Sequence, residues 1–127
     1  MNKSDNIKIV IEQANWGVSV SFNGQVIADT TQAILYYEGE RAAVYYFPRS
    51  DVRMDLCNKT MHKTQCRHKG EASYWDITVG KKYLENALWS YEEPIESASK
   101  IKGYIAFYMD KLGTTYIEKT RNHIYRE

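Results

Sequence analysis

An alternating stretch followed by an Asn-Gly pair is the feature that most restricts how this chain can fold. Over Val18–Phe22, apolar residues alternate with serines, which is the period-two pattern of a β-strand with one buried face. Asn23-Gly24 follows directly. This pair is a strong hairpin signal, because a tight two-residue turn needs positive φ at both positions. The sequence therefore predicts a β-hairpin over residues 17–29, with the returning strand at Val26–Ala28.

Further short apolar segments at similar spacing predict more strands. They are Ile7–Ile11, Ala33–Tyr37 paired with Ala43–Phe47, Tyr74–Val79 paired with Tyr83–Trp89, Gly103–Tyr108 and Thr115–Glu118. The 11 Tyr against 3 Phe and 3 Trp also favour half-buried sheet faces. We expect a mainly β single domain over residues 1–127, with its core at about 7–118. It should form two packed sheets or a partly closed barrel with a few short helical turns.

Two segments of the sequence interrupt the strand pattern. Pro48 does not suit a central strand but suits the start of a helical turn, so a short turn is predicted over Ser50–Leu56. A second short helix is predicted between Pro94 and Lys102. Residues 57–72 have no apolar period and are predicted to form a long polar loop, which in a compact domain is often functional. Residues 119–127 are predicted to form a mobile tail or a frayed helix.

Overall charge and composition exclude several classes of partner. The formal net charge is only +1, which argues against a nucleic-acid partner. No segment is apolar and long enough for a membrane span, and the first residues lack the apolar core of a signal peptide. A cytoplasmic protein is expected, with Cys57 and Cys66 as free thiols. It should be a monomer or a homodimer, since exposed strand edges can pair.

The local charge balance differs from the overall one. Between Arg49 and Gly70 there are six Arg or Lys residues against two Asp. Arg49, Arg53 and Lys69 could converge on a small anionic molecule, with Gly70 allowing backbone N–H groups to approach it. Alternatively, the segment is a solvated charged surface in which the arginines form structural ion pairs, Arg49 with Asp51 and Arg53 with Glu92.

Aromatic residues surround this basic segment in the sequence. They are Tyr74, Trp75, Trp89 and Tyr91. Such rings could wall a pocket and stack on a planar or sugar-like group. For Trp75 and Trp89 the alternative is packing in the core, and the sequence favours that alternative for each of them.

Four sequence blocks together resemble a known family. They are YYFPRSDVRMDL at 45–56, HKTQCRHKGEASYW at 62–75, ENALWSYEEP at 85–94 and GYIAFYMDK at 103–111. In this order and spacing they closely resemble the bacterial domain-of-unknown-function family 427, over about Ile7 to Glu118. The resemblance implies a compact β-rich domain, similar to the β-tent group, and an activity that is not established. On this chain the family's recurring positions are Arg49, Asp51, Arg53, His62, Cys66, Lys69, Gly70, Tyr74, Trp75, Trp89 and Glu92.

The family also carries a nucleotidyltransferase label, which these residues do not support. Such enzymes resemble one another in a Gly-Ser turn followed by an Asp-x-Asp pair for two metal ions, and the sequence has no such arrangement. Asp51 and Asp55 stand four residues apart with Arg53 between them. They are expected to pair with that arginine rather than hold a metal.

A zinc site is a further hypothesis for the segment 57–68. Cys57, His62, Cys66 and His68 are four soft ligands within twelve residues. Their spacing matches no familiar zinc motif, however, and Cys57 and His68 depart from the family's pattern. We therefore predict no metal and no cofactor.

Two functions remain open from the sequence. The first is binding of a small anionic or nucleotide-like ligand in a pocket formed by residues 45–92. Its proposed binding residues are Arg49, Arg53, Lys69, Tyr74, Trp89 and Glu92. The second is an enzyme with Cys66 as nucleophile or redox thiol and His62 as base, because nearby positive charge stabilises a thiolate. In the alternative to the enzyme, Cys66 is a small buried hydrophobic residue.

Overall fold

The structure is a computed structural model that describes residues 7–119. Within that range the strands are β1 Ile9–Gln13, β2 Gly17–Phe22, β3 Gln25–Thr30, β4 Ile34–Glu38, β5 Val44–Tyr46, β6 Cys57–Cys66, β7 Gly70–Val79, β8 Lys82–Ser90, β9 Ile105–Phe107 and β10 Ile117–Lys119. Three short 3-10 turns, Arg49–Asp51, Met54–Leu56 and Glu96–Ile101, and one helix, α1 Met109–Leu112, connect them. The predicted mainly β class is confirmed, and the two predicted helical segments form as 3-10 turns.

The strands form three antiparallel sheets, in the orders β1-β4-β5, β10-β2-β3 and β6-β7-β8-β9. Phe47 and Ile105 exchange two backbone hydrogen bonds of 2.8 Å, which join the end of β5 to β9. The Arg53 N–H donates to the Ile27 carbonyl at 2.8 Å and ties the 3-10 segment to β3. The described strands do not close into a barrel, but these links hold the three sheets together as one compact domain.

The hairpin predicted over residues 17–29 is confirmed as β2–β3. Asn23 has φ 50° and Gly24 has φ 80°, as a turn that follows the strand twist requires. The Asn23 side chain also donates to the Val79 carbonyl at 2.9 Å. This bond connects the hairpin to the β7–β8 pair, which is the second predicted hairpin.

Two clusters of buried side chains form the core. The larger one includes Val18, Val20, Ile27, Phe47, Ile77, Leu88 and Phe107. The smaller one comprises Tyr36, Tyr46, Ala72, Tyr74, Tyr91, Ala98, Ile101 and Ala106. Four of the eight residues of the smaller cluster are tyrosines, so part of the tyrosine excess in the sequence is concentrated at one place in the fold.

The predicted polar loop over residues 57–72 is wrong. Residues 57–66 form β6, and β7 begins at residue 70. β6 lies at the edge of its sheet and none of its ten residues is fully buried, so it has no buried face to impose an apolar period. Its charged and polar side chains are typical of an exposed edge strand, where they discourage pairing with other chains.

The last strand begins close to its predicted position. β10 begins at Ile117, two residues later than the strand predicted from Thr115. The predicted mobile tail lies outside the described residues except for Lys119, which belongs to β10. No helix within residues 7–119 is long and apolar enough to cross a membrane.

Candidate functional site

A glycine at the start of β7 determines where the site forms. Gly70 has φ +111°, a conformation that side chains with a Cβ rarely adopt. A Cβ there would lie 3.3 Å from the Ile95 nitrogen and 3.5 Å from the Pro94 Cα. Because the Cβ is missing, the segment after β8 packs directly on this turn, and the Ile95 N–H donates to the Lys69 carbonyl at 2.9 Å. This contact holds Lys69 against the smaller core cluster.

Lys69 is a buried cation with only 8% of its surface exposed. Its Nζ lies 3.2 Å from the Glu38 Oε1 at the end of β4. It also lies 4.4 Å from the ring centre of Tyr36 and 5.7 Å from that of Tyr91. Burial of an ammonium is costly without compensation, and here one carboxylate and two ring faces compensate it.

Lys69 lines a cavity of about 220 Å³ whose walls are mostly aromatic. The lining residues are Tyr36, Glu38, Arg41, Ala42, Val44, Tyr46, Lys69, Tyr74, Trp89, Tyr91 and Tyr108. The Trp89 Nε1 donates to the Tyr46 hydroxyl at 3.4 Å. Three of the residues predicted to bind a ligand, Lys69, Tyr74 and Trp89, therefore meet in one place. We call it the Lys69 cavity.

Three tyrosine hydroxyls of the Lys69 cavity, those of Tyr36, Tyr46 and Tyr91, remain protonated over the physiological range. Burial, followed by the charge of Glu38, raises the pKa of Tyr36 to about 12. Burial also raises the pKa values of Tyr46 and Tyr91 far above the usual range. These phenols can therefore donate hydrogen bonds to a ligand, but they are poor bases. The cavity offers one cation, flat ring faces and phenol donors.

Arg49 and Glu92 also meet, but they do so in an ion-pair network over Trp75. The Arg49 Nη1 lies 3.5 Å and the Lys59 Nζ lies 2.8 Å from the Glu92 carboxylate. Both cations lie over the Trp75 ring, at 5.1 Å and 5.6 Å from its centre. The hydrogen bond from Lys59, which is the main favourable interaction, lowers the pKa of Glu92. The buried Trp75 is a core residue, as the sequence favoured.

Arg53 makes a third and separate contact. Its Nε and Nη2 donate to the two oxygens of Asp55, both at 2.8 Å. Asp51, which the sequence offered as a partner for Arg49, instead accepts a hydrogen bond of 2.7 Å from the Thr30 hydroxyl. The observed ion pairs are thus Arg49–Glu92 and Arg53–Asp55, not Arg49–Asp51 and Arg53–Glu92. Arg49, Arg53 and Lys69 each face a different carboxylate, so the structure does not bring them together on one anion.

Cys66 and His62 lie on the same extended strand, which separates them. Residues 63–66 pair regularly with β7, and three residues of strand span about 10 Å. The centre of the His62 ring lies 4.6 Å from that of the Tyr74 ring, whereas Cys66 packs against the smaller core cluster. Strand β6, which replaces the predicted loop, therefore does not support the pairing of His62 with Cys66 as base and nucleophile.

Strand β6 also separates the four candidate zinc ligands. Cys57 and Cys66 stand opposite Ile77 and Gly70, and seven residues of β7 span roughly 23 Å. Among residues 7–119 there is no group of three or more His, Cys, Asp or Glu side chains that could hold a metal ion. Burial raises the pKa of the Cys57 thiol to about 11, so it remains protonated. The expectation of a zinc-free protein remains a prediction.

Several residues of the Lys69 cavity were missed in the sequence. Tyr36 and Glu38 come from β4, and Arg41 comes from the connection between β4 and β5. They precede both the basic segment and the predicted pocket of residues 45–92. The tyrosine excess was the one signal that could have pointed to them, and it gave no position.

The fold and this site define a single mainly β domain with a tyrosine-lined cavity beside a buried lysine. The family model described as a domain of unknown function, DUF427, matches residues 10–118, and the chain belongs to that family. This match confirms the resemblance found in the four sequence blocks. A comparison with curated proteins finds no match.

Proposed function

We propose that this domain binds a small ligand with one planar ring and one carboxylate or phosphate group in the Lys69 cavity. The observation that carries this proposal is the buried ammonium of Lys69 beside a cavity with walls of Tyr and Trp side chains. The proposal keeps Lys69, Tyr74 and Trp89 as ligand residues. It leaves Arg49, Arg53 and Glu92 as ion-pairing residues outside the cavity.

The contacts of Lys69 leave room for a ligand anion. An ammonium group has three N–H donors, and the contact with Glu38 uses one of them. That contact, at 3.2 Å, is longer than the 2.7–2.9 Å typical of a strong charge-assisted bond. A ligand carboxylate could therefore form a shorter bond to the same ammonium. Arg41 lies in the cavity lining and adds positive charge there.

The size of the cavity restricts the ligand. At about 220 Å³ it is smaller than the roughly 300–1,000 Å³ of pockets for drug-sized molecules. A single-ring acid fits such a volume better than a whole dinucleotide does. A nucleotide would place its base between the rings and leave its sugar and phosphate toward the mouth of the cavity.

The test compares benzoate with benzamide, which has the same ring but no charge. Benzoate at millimolar concentration is expected to raise the melting temperature and to quench tryptophan fluorescence, because Trp89 lies in the cavity wall. Benzamide should raise the melting temperature less and quench the tryptophan fluorescence less. The double variant Lys69→Gln/Glu38→Gln removes both charges together and so avoids an orphaned buried carboxylate. It should lose the response to benzoate.

Arg53→Gln serves as the matched control, since it removes a cation whose pair lies outside the cavity. This variant should respond to benzoate as the wild type does. Equal responses to benzoate and benzamide, or an undiminished response in the Lys69→Gln/Glu38→Gln variant, would refute the proposal. Failure of a panel of ring acids, with phenyl phosphate and a nucleoside monophosphate included, would also refute it.

An enzyme that uses Cys66 draws less support from the geometry. The strand holds His62 away from the thiol, and Cys66 packs against the smaller core cluster. The cytoplasmic location expected from the sequence, and the monomer or homodimer expected from its strand edges, belong to the same proposal. Gel filtration with light scattering would test the oligomeric state.

A further inference from the structure

We propose a second ligand site, for a phosphate-bearing or sulfate-bearing molecule, in a cavity of about 600 Å³ beside the Lys69 cavity. It lies between β1, the turn that joins β6 to β7, and the 3-10 turn Glu96–Ile101. We call it the Arg67–Lys100 cavity. The sequence predicted no anion-binding residue in this cavity, although His68 was one of the candidate zinc ligands.

The Gly70 contact builds this cavity as well. The hydrogen bond from the Ile95 N–H to the Lys69 carbonyl fixes the segment after β8 on the β6–β7 turn. Arg67 and His68, which come directly before Lys69, line the same cavity as Lys100. Tyr36 lines both cavities, so the two sites share this residue as a wall.

The polar residues of the Arg67–Lys100 cavity suit an oxyanion. Arg67, His68 and Lys100 can supply positive charge, and Ser97 and Ser99 supply hydroxyl donors. Arginine is well suited to phosphate, since its planar fork can bind two oxygens at once.

The remaining walls of the Arg67–Lys100 cavity are apolar. Ile9 and Ile11 of β1 are only partly buried, and Ile95 is 43% exposed. These side chains could cover an apolar part of the ligand while its charged group meets the cations. The volume lies within the roughly 300–1,000 Å³ of small-molecule pockets. We therefore expect phenyl phosphate to bind more tightly than inorganic phosphate.

Lys100 is not specific to the Arg67–Lys100 cavity. It also borders an adjacent depression whose lining includes Glu12. Substitution of Lys100 alone would affect both depressions. The test therefore uses the double variant Arg67→Gln/Lys100→Gln, in which the charge is removed from both sides of the cavity.

The experiment is a calorimetric titration of the whole chain with phenyl phosphate at low salt. The Arg67→Gln/Lys100→Gln change is made in the Lys69→Gln/Glu38→Gln variant, so that the Lys69 cavity does not contribute. It is expected to weaken binding about tenfold relative to that variant, or to abolish measurable binding. The control variant Lys81→Gln/Lys102→Gln loses two exposed charges that do not line the cavity, so it should bind as the wild type does. Added sodium chloride should weaken wild-type binding, because these cations are accessible to solvent.

The outcomes separate this site from the Lys69 cavity. The Lys69→Gln/Glu38→Gln variant should retain the phenyl phosphate affinity expected for the Arg67–Lys100 cavity. If that variant loses binding while Arg67→Gln/Lys100→Gln keeps it, phenyl phosphate occupies the Lys69 cavity and the second site is refuted. Equal weakening in the control variant would show non-specific charge attraction and would also refute it. An absence of phenyl phosphate binding to the wild type at millimolar concentration would also refute the second site.

Discussion

Substitution of Gly70 by Ala tests the contact on which both cavities depend. The residue has φ +111°, well outside the left-handed well near +57° that some other residues tolerate. An added Cβ would meet backbone atoms, with the Ile95 nitrogen at 3.3 Å. Backbone atoms cannot rotate away as a flexible side chain can. We therefore expect the segment around Ile95 to move away from the turn and to weaken its hydrogen bond to the Lys69 carbonyl.

The expected loss has two parts. Strain at an unfavourable backbone conformation costs about 1–3 kcal/mol. Loss of the hydrogen bond from Ile95 to Lys69 adds roughly 0.5–1.5 kcal/mol. Together they predict that the free energy of unfolding falls by about 1.5–4.5 kcal/mol, a large change for a domain of this size.

Gly113 provides a matched control for this strain. It follows α1 with φ +68°, and a Cβ there would meet no atom within 4 Å. Gly113→Ala should lower the free energy of unfolding only by the cost of placing Ala in the left-handed conformation, about 1–2 kcal/mol. Urea unfolding of both variants, followed by circular dichroism, measures the difference. If Gly70→Ala is no less stable than Gly113→Ala, the close approach of Ile95 is not what makes glycine necessary, and our reasoning is wrong.

Three further predictions follow from the titrating groups. The pKa of Tyr36 is raised to about 12 in the folded protein, whereas in the unfolded chain the phenol ionises near its ordinary pKa of 10.0. Its stabilising effect should therefore be complete below pH 10 and be lost as the pH rises toward 12, and a urea midpoint that is flat over this range would contradict us. Glu92 has a lowered pKa, so wild type should exceed Glu92→Gln in stability by less than about 1 kcal/mol at neutral pH. That excess should vanish as the pH falls through the lowered pKa, and an excess that persists in acid would exclude the ion pair as its cause. In the Cys66→Ser variant, iodoacetamide at pH 8 should label Cys57 much more slowly in the folded than in the unfolded protein, since its pKa is about 11. Elemental analysis of the purified wild-type protein, which keeps all four candidate ligands, should find well below one equivalent of zinc, and one tightly held equivalent would overturn the metal-free interpretation.

The sequence predicted most of the strands correctly where neighbouring residues contain the signal. The turn at Asn23-Gly24 needs two residues that accept positive φ, and both are adjacent in the chain. Its flanking strands bury one face and therefore alternate. β6 was missed because an edge strand with no fully buried residue has no such alternation. Its pairing with β7, which the sequence does not display, makes it a strand.

The candidate site was only partly predictable for a related reason. Lys69 was selected because it lies in a basic segment, and Trp89 because it lies in a family motif. Neither signal shows that Lys69 is buried against Tyr36 and Glu38. The contact with Glu38 joins residues 31 positions apart, and no local pattern specifies such a contact.

The sequence by itself determined the mainly β class, the hairpins and the family, because these depend on local periodicity, turn residues and motif order. Only the tertiary structure decided which carboxylate each cation meets. Arg49, Arg53 and Lys69 appeared equivalent as positive charges in one segment. In the fold they are paired with Glu92, Asp55 and Glu38, respectively. Ion pairing depends on distances of a few ångströms between residues from different strands, and packing of the sheets sets those distances.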